Sequence, residues 1–235
     1  MKAMILAAGR GERMRPLTDA SPKPLLKVGG KPLIVWQIER LVAAGITELV
    51  INHAHLGPQI EDALGDGARY GACIAYSREG EALETAGGIV KALPLLGPAP
   101  FLVVSADIYT PCDYRLLMQQ ASALEDGTLA YLWLVDNREW HPRGDFALID
   151  GALSVDAEPR LTYSNLGIYR PEFFSGVVPG TKLPMLPLLN RAISAGKVRG
   201  ARYAGLWENI GTPAQLAALD AALEQARSAQ LDQPS

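Results

Sequence analysis

The stretch from Gly9 to Lys31 holds the densest concentration of reactive residue types in the chain. Gly9-Arg10-Gly11-Glu12-Arg13-Met14-Arg15-Pro16 follows a short apolar run and leads into Ser21-Pro22-Lys23-Pro24, then Lys27 and Lys31. A glycine-rich turn after a buried strand exposes backbone N–H groups, and neighbouring arginines and lysines add positive charge, so this segment suits a polyphosphate. Pro16, Pro22, Pro24 and Pro32 keep it extended and stiff. The Gly-x-x-x-x-Gly-Lys-Ser/Thr spacing of a P-loop is absent. A dinucleotide fingerprint needs a third glycine where this chain has Met14, which argues against an NAD-dependent dehydrogenase. The bland alternative is a tight turn carrying solvated cations.

Asp107 closes the apolar run Phe101-Leu102-Val103-Val104-Ser105, at the carboxyl edge where α/β sheets gather functional groups; a turn or N-cap aspartate is the competing reading. His53 and His55 stand at i and i+2 after another apolar run. With no cysteine or acidic cluster nearby, packing or capping is expected of them rather than metal binding.

The elements that must position these groups follow from periodicity. Short β-rich apolar runs alternate with helical segments, the pattern of βαβ units around a mostly parallel sheet. Strands are expected over Ala3 to Leu6, Glu48 to Asn52, Cys73 to Tyr76 and Phe101 to Ser105. Helices are expected from Pro32 to Ala44, from an N-cap at Thr85 (Ile89, Val90, Leu93 inward), from an N-cap at Asp113 (Leu116, Leu117, Leu124 inward) and from Thr212-Pro213 (Leu216, Leu219, Leu223 inward). Leu129 to Val135, Phe146 to Ile149 and Tyr163 to Tyr169 read as a small antiparallel addition.

Composition narrows the classes. The chain has 235 residues, 49% hydrophobic and 20% charged, with a net charge of -3. It is long enough for a sizeable core, and its weakly acidic balance speaks against a nucleic-acid binder. Cys73 and Cys112 are too few and too far apart for a disulfide framework. Met1 to Ala8 is too short to span a membrane and lacks the parts of a signal peptide, so a cytoplasmic protein is expected.

Ile5-Leu6-Ala7-Ala8-Gly9-x-Gly11-x-Arg13-Met14-x-Pro16-Leu17-Thr18, with Pro22-Lys23-Pro24-Leu25-Leu26 and Lys31-Pro32-Leu33-Ile34, resembles the signature of sugar-1-phosphate nucleotidylyltransferases. The likeness continues in Asn52-His53-x-His55-Leu56, Leu83-Glu84-Thr85-Ala86-Gly87-Gly88, Ser105-Ala106-Asp107 and Trp207-x-x-x-Gly211-Thr212-Pro213, and so covers most of the chain. It implies a Rossmann-like, GT-A-like mixed sheet flanked by helices. It further implies one domain over residues 1–227, with a nucleotide-binding half (1–110), a sugar-phosphate-binding half (111–227) and a flexible tail (228–235).

The resemblance also implies chemistry. A sugar-phosphate oxygen attacks the α-phosphorus of a nucleoside triphosphate in line and pyrophosphate leaves, so catalysis is positioning and charge neutralisation. Arg13 corresponds to the arginine on the triphosphate and Lys23 to the lysine beside the reacting phosphates. Asp107 corresponds to a Mg²⁺ ligand. The second metal position, usually aspartate, is here Asn209, whose carbonyl oxygen carries less charge; Glu208 would face the opposite way. Ala8, Gly9, Gly11, Glu12, Thr85, Gly87, Gly88 and Ser105 are expected around the nucleotide, the two paired glycines allowing close backbone approach. Ser105, Gly144, Glu158 and Asn165 are expected around the sugar phosphate, with His141 nearby. The family's Glu-Lys-Pro reads Glu158-Pro159-Arg160 here, leaving Arg160 or Lys182 to stand in for the lysine.

By likeness, UTP is the expected nucleotide and N-acetylmuramic acid 1-phosphate the expected acceptor, in a monomer or small homo-oligomer. Guanylyl transfer to mannose 1-phosphate, cytidylyl transfer to a phosphorylated alcohol and a non-catalytic nucleotide-sugar sensor stay open. Asn209 favours the sensor, whereas Arg13, Lys23 and Asp107 together oppose it.

Overall fold

In the computed structural model, residues 1–122 and 127–231 are described, the side chains of 229–231 excepted. In chain order the strands are β1 (Ala3–Leu6), β2 (Lys27–Val28), β3 (Lys31–Pro32), β4 (Glu48–His53), β5 (Cys73–Arg78), β6 (Phe101–Ser105), β7 (Ile108–Tyr109), β8 (Ala130–Val135), β9 (Phe146–Ile149), β10 (Ala152–Ser154), β11 (Arg160–Tyr169), β12 (Val198–Arg202) and β13 (Glu208–Asn209). The helices are α1 (Leu33–Ala43), α2 (Gly57–Leu64), α3 (Glu84–Leu96), α4 (Tyr114–Ser122), α5 (Leu186–Ser194) and α6 (Pro213–Leu231).

Side-chain alternation along the central strands explains why helices cover both faces. Ile5, Ile51 and Val104 point to one side, where they meet Ile34 and Ile38 of α1, Ile60 of α2 and Leu117 of α4. Met4, Val50 and Val103 point to the other, against Ile89 and Val90 of α3 and Leu189 and Ile193 of α5. Strands buried on both faces lose the polar alternation of a half-exposed sheet, which is why they read as continuous apolar runs.

One nine-stranded sheet runs in the order β5-β4-β1-β6-β11-β8-β12-β10-β9. β5, β4, β1 and β6 are parallel, as the βαβ pattern requires. β11 then pairs antiparallel with β6, β8 and β9, and β12 returns parallel to β8. The mixed sheet with flanking helices agrees with the expected class. Its antiparallel part is larger than a small addition, because the short β10 extends β9 as a hairpin and β12 joins through long-range pairings with β8 and β10. α2 fills the interval between β4 and β5 where the alternating pattern requires a helix of unstated bounds, and α5 has no counterpart among the expected helices.

Several terminal details differ from expectation. α3 begins at Glu84 after Leu83, without a side-chain cap, so Thr85 lies inside the first turn. Asp113 does cap α4, through its Oδ1 and the Arg115 N–H at 2.9 Å; Leu116 is exposed and Leu124 lies outside the described residues. Thr212 Oγ1 accepts the Gln215 N–H at the start of α6. α6 continues to Leu231, beyond the expected end at Arg227, and 232–235 lie outside the described residues. Among the described residues no helix is long and apolar enough to cross a membrane.

Candidate functional site

At the carboxyl ends of β1 and β6 the chain leaves the sheet in two loops that form the floor of a cleft of about 570 Å³. Its lining includes Ala8, Gly9, Arg10, Gly11, Glu12, Arg13, Lys23, Asn52, Glu84, Thr85, Ser105, Asp107, Lys182 and Gly211. The sequence-expected phosphate loop, Lys23, Ser105 and Asp107 therefore share one space.

Local physics fixes that loop. Gly11 adopts φ +64°, and a Cβ there would come within 3.0 Å of Lys23 and Thr18, so the turn and the lysine it holds both require glycine. Met14 is fully buried with Val28, Leu33, Tyr109 and Ile210, pinning the loop's underside to α1 and the β7–β13 ribbon. The residue that breaks the dinucleotide fingerprint is thus an anchor. A Cβ on Gly211 would lie 3.1 Å from Arg13 Nη2, so the Arg13 guanidinium rests directly against the backbone of that loop.

Asp107 is held from three sides. The Ala106 N–H donates to Leu6 O at 2.9 Å, and the Ile210 N–H to Asp107 O at 2.9 Å. One residue on, Gln37 of α1 donates to Ile108 O while accepting from the buried Tyr114 hydroxyl. The Asp107 carboxylate meets the Lys23 ammonium in a salt bridge at the cleft floor. A cation and an anion thus face the same volume, each able to exchange its partner for a phosphate or a metal ion.

Asn209 pairs in register with Ile108 across β13 and β7, next to Asp107 in the ribbon. Its Oδ1 is buried and accepts no hydrogen bond. Such an orphaned carbonyl oxygen costs stability unless something occupies it. Glu208 turns away to Arg138, 3.1 Å distant, as strand alternation requires.

A second cavity continues beyond Leu6 and Thr85, which line both spaces. Trp140, His141, Asp145, Phe146, Tyr163, Asn165, Met185, Trp207 and Asn209 contribute to it. Asn165 adopts φ +58° at the irregularity where β11 shifts register against β8 between Tyr163 and Gly167. Glu84, on the rim of the first cleft, adopts φ +62°. Left-handed non-glycine residues are uncommon and gather at ligand sites. Trp207 is locked by its Nε1 donating to Ser164 O at 3.0 Å, and half-exposed Trp140 stacks on it at 6.2 Å. His141 Nε2 contacts Asp145 Oδ1 at 3.1 Å, while Asp145 Oδ2 accepts the Tyr163 N–H at 2.8 Å. Burial pushes the Tyr163 and Tyr169 phenols above their ordinary range, so their mutual 2.7 Å hydrogen bond is between protonated hydroxyls.

Some expectations shift. Gly87 and Gly88 do not line the cleft. A Cβ at Gly87 would strike Thr181 O at 2.2 Å, and one at Gly88 would strike Glu79 Oε1 at 2.4 Å, so these glycines accommodate the chain's own packing. Gly144 and Glu158 line a neighbouring recess with Asn137, Trp140, Arg143 and Arg160, joined to the second cavity only through Trp140 and His141. Arg160 is engaged by Glu158 at 3.1 Å, whereas Lys182 faces the first cleft. His53 binds Glu61 at 2.6 Å beside Arg78, a packing role, and Glu61 is held down to about 2 chiefly by its hydrogen bond from Arg78. Among the described residues no group of three or more His, Cys, Asp or Glu could hold a metal. Asn52, Trp140, Phe146, Met185 and Trp207 were not singled out as site residues from sequence. Of these only Trp207 and Asn52 sit inside recognisable motifs.

Comparison with known proteins agrees with this geometry. A family model described as nucleotidyl transferase matches residues 2–143. An N-acetylmuramate alpha-1-phosphate uridylyltransferase of Neisseria meningitidis serogroup B is 54% identical over 220 residues, 92% of this chain and 95% of the relative. A protein of the same name from Caulobacter vibrioides is 35% identical over 244 residues, 95% of this chain and 97% of the relative. A crystal structure from Bacillus anthracis, described as a glucose-1-phosphate thymidylyltransferase assignment in complex with a sucrose, shares the fold at TM-score 0.82 and 24% identity, covering 95% of each chain. Because the family match runs through the basic loop, Lys23 and Asp107, and the relatives align over nearly the whole length, the chain belongs to the nucleotidyl transferase family.

Proposed function

We propose that this nucleotidyltransferase moves a uridylyl group from UTP to N-acetylmuramic acid 1-phosphate and releases pyrophosphate. The observation that carries the reading is the Lys23–Asp107 pair facing the cleft lined by the arginine-bearing loop. The acceptor's phosphate oxygen attacks the α-phosphorus, the bond to the β-phosphate's bridging oxygen breaks, and that oxygen leaves with pyrophosphate. No covalent enzyme intermediate is required. Arg13, Arg10 and the loop N–H groups hold the triphosphate, Lys23 neutralises charge at the reacting phosphates, and Lys182 approaches from the α5 side.

Mg²⁺ fits the donors present. The Asp107 carboxylate lines the first cleft and the partnerless Asn209 Oδ1 belongs to a residue lining the adjoining cavity, two hard oxygen donors of the kind that Mg²⁺ accepts alongside phosphates and water. When bound there it would supply neutralisation of phosphate charge.

The identity of base and sugar rests on the two uridylyltransferase relatives. The second cavity supports a sugar, since aromatic faces from Trp140, Phe146 and Trp207 stand beside the polar Thr85, Asp145 and Asn165. An acceptor with a lactyl carboxylate needs another cation. Arg143, which lines the adjoining recess, is the candidate on this reading. Such a reaction belongs to cell-wall sugar recycling, in the reducing cytoplasm that two free cysteines suit. The test is pyrophosphate release by the purified chain with Mg²⁺, each of the four nucleoside triphosphates and a panel of sugar 1-phosphates. UTP with N-acetylmuramic acid 1-phosphate is expected to be the fastest pair. A faster reaction of GTP with mannose 1-phosphate would replace this specificity, and no release with any pair would leave a sensor.

A further inference from the structure

Glu79 is a buried carboxylate that the reaction above does not use. It accepts hydrogen bonds at both oxygens: from Asn52 Nδ2 to Oε1 at 2.6 Å and from the Leu83 N–H to Oε2 at 2.8 Å. Asn52 in turn accepts the Ala7 N–H at its Oδ1, 2.9 Å away. Ala7, Asn52, Ala82, Glu84 and Thr85 all line the first cleft. The hydrogen bonds thus join the end of β1, where the phosphate loop starts, to the start of α3 on the opposite wall. Gly88 belongs to the same arrangement, since its missing Cβ leaves the space that Glu79 Oε1 and Asn52 Nδ2 occupy.

We propose that Asn52 and Glu79 are positioning residues that set the width of the nucleotide cleft through a hydrogen-bond chain of fixed polarity. The inference rests on the cleft taking the triphosphate. Only a group that accepts at both ends can stand between two donors, and only a carboxylate at position 79 does so. Glu79→Gln must turn an amide N–H toward another N–H. Asn52→Asp sets two buried carboxylates against each other. The exchange Asn52→Asp/Glu79→Gln restores every bond with the same net charge. The carboxylate introduced at position 52 then accepts from the Ala7 N–H and from the amide introduced at position 79, whose carbonyl accepts from the Leu83 N–H.

The experiment measures UTP affinity in the presence of Mg²⁺ by calorimetry, and KM for both substrates, on the full chain and the three variants, with melting curves to follow folding. Each single variant is expected to weaken UTP binding and raise its KM roughly tenfold, Glu79→Gln because a buried donor is left unpaired and Asn52→Asp because two buried acceptors face each other. The sugar-phosphate KM stays unchanged and the double variant returns toward wild type. Singles that bind UTP like the wild type, or a double variant worse than both singles, would overturn the inference. If a single variant fails to fold, the double still decides, because a folded double with wild-type UTP affinity requires the proposed polarity. Failure of the wild-type chain itself to bind UTP would instead refute the reading of the cleft.

Discussion

The cleft beside β1 and the cavity beside β11 are neighbours sharing Leu6 and Thr85, yet they are assembled differently. In the first, most of the charged groups come from the loop after β1 and the turn at Lys23, and backbone geometry and a buried methionine hold them in place. In the second, Trp140 and Asp145 come from the β8–β9 connection and Asn165, Met185 and Trp207 from three further segments, joined by antiparallel pairing and single hydrogen bonds such as Trp207 Nε1 to Ser164 O. The first is a rigid charged cradle whose chemistry suits any triphosphate. The second is an aromatic and polar wall whose shape depends on tertiary contacts. On the proposed reading, reaction type and substrate choice are separated in space.

Variants should respect that separation. The largest expected effect is at the cleft floor. Asp107→Ala should abolish turnover, and Lys23→Ala should lower kcat by about 10²–10³-fold, the loss typical of removing one preorganised charge partner of a transition state; pyrophosphate release measures both. Met14→Ala should destabilise the chain by about 2–5 kcal/mol, as for other truncations of a fully buried side chain, with denaturant unfolding as the readout. A loss well below that range would mean that the loop is not anchored from beneath. Trp140→Ala should raise the sugar-phosphate KM roughly tenfold, as loss of one stacking platform would, with kcat little changed.

The smallest effect concerns pH and lies away from both sites. Glu61 titrates at about 2 in the folded chain against an ordinary 4.5. Its depressed value adds stability above about 4.5, and that contribution fades as pH falls toward 2. Glu61→Gln should flatten the acid limb of the stability profile over this window. An unchanged slope would show that solvent screening of the exposed Arg78 cancels the pair.

Legibility in the sequence follows the same division. The parallel strands were readable because burial on both faces makes each a continuous apolar run. Asp107 and the basic loop were readable because their groups lie at the ends of such runs. β10 is only three residues long, and β12 pairs with the distant β8 and β10 while its own residues, such as Arg199-Gly200-Ala201-Arg202, show no apolar alternation, so neither strand is legible in the sequence. Thr85 was placed at a helix start by residue type alone, whereas Glu84 in a left-handed conformation starts the helix earlier. Gly87 and Gly88 were assigned to ligand approach because sequence cannot distinguish a glycine that makes room for a nucleotide from one that makes room for Thr181 or Glu79. The aromatic wall was invisible for a similar reason: Trp140 and Trp207 come together only after a loop and a strand end are folded against β11.

The most direct test of the separation is calorimetric titration of UTP, with Mg²⁺ present and no sugar phosphate, into the wild-type chain, Arg13→Ala and Trp140→Ala. Arg13→Ala should lose most of the affinity, having removed a guanidinium from the triphosphate's cradle, while Trp140→Ala should bind UTP as the wild type does. Equal weakening in both variants, or loss confined to Trp140→Ala, would contradict it.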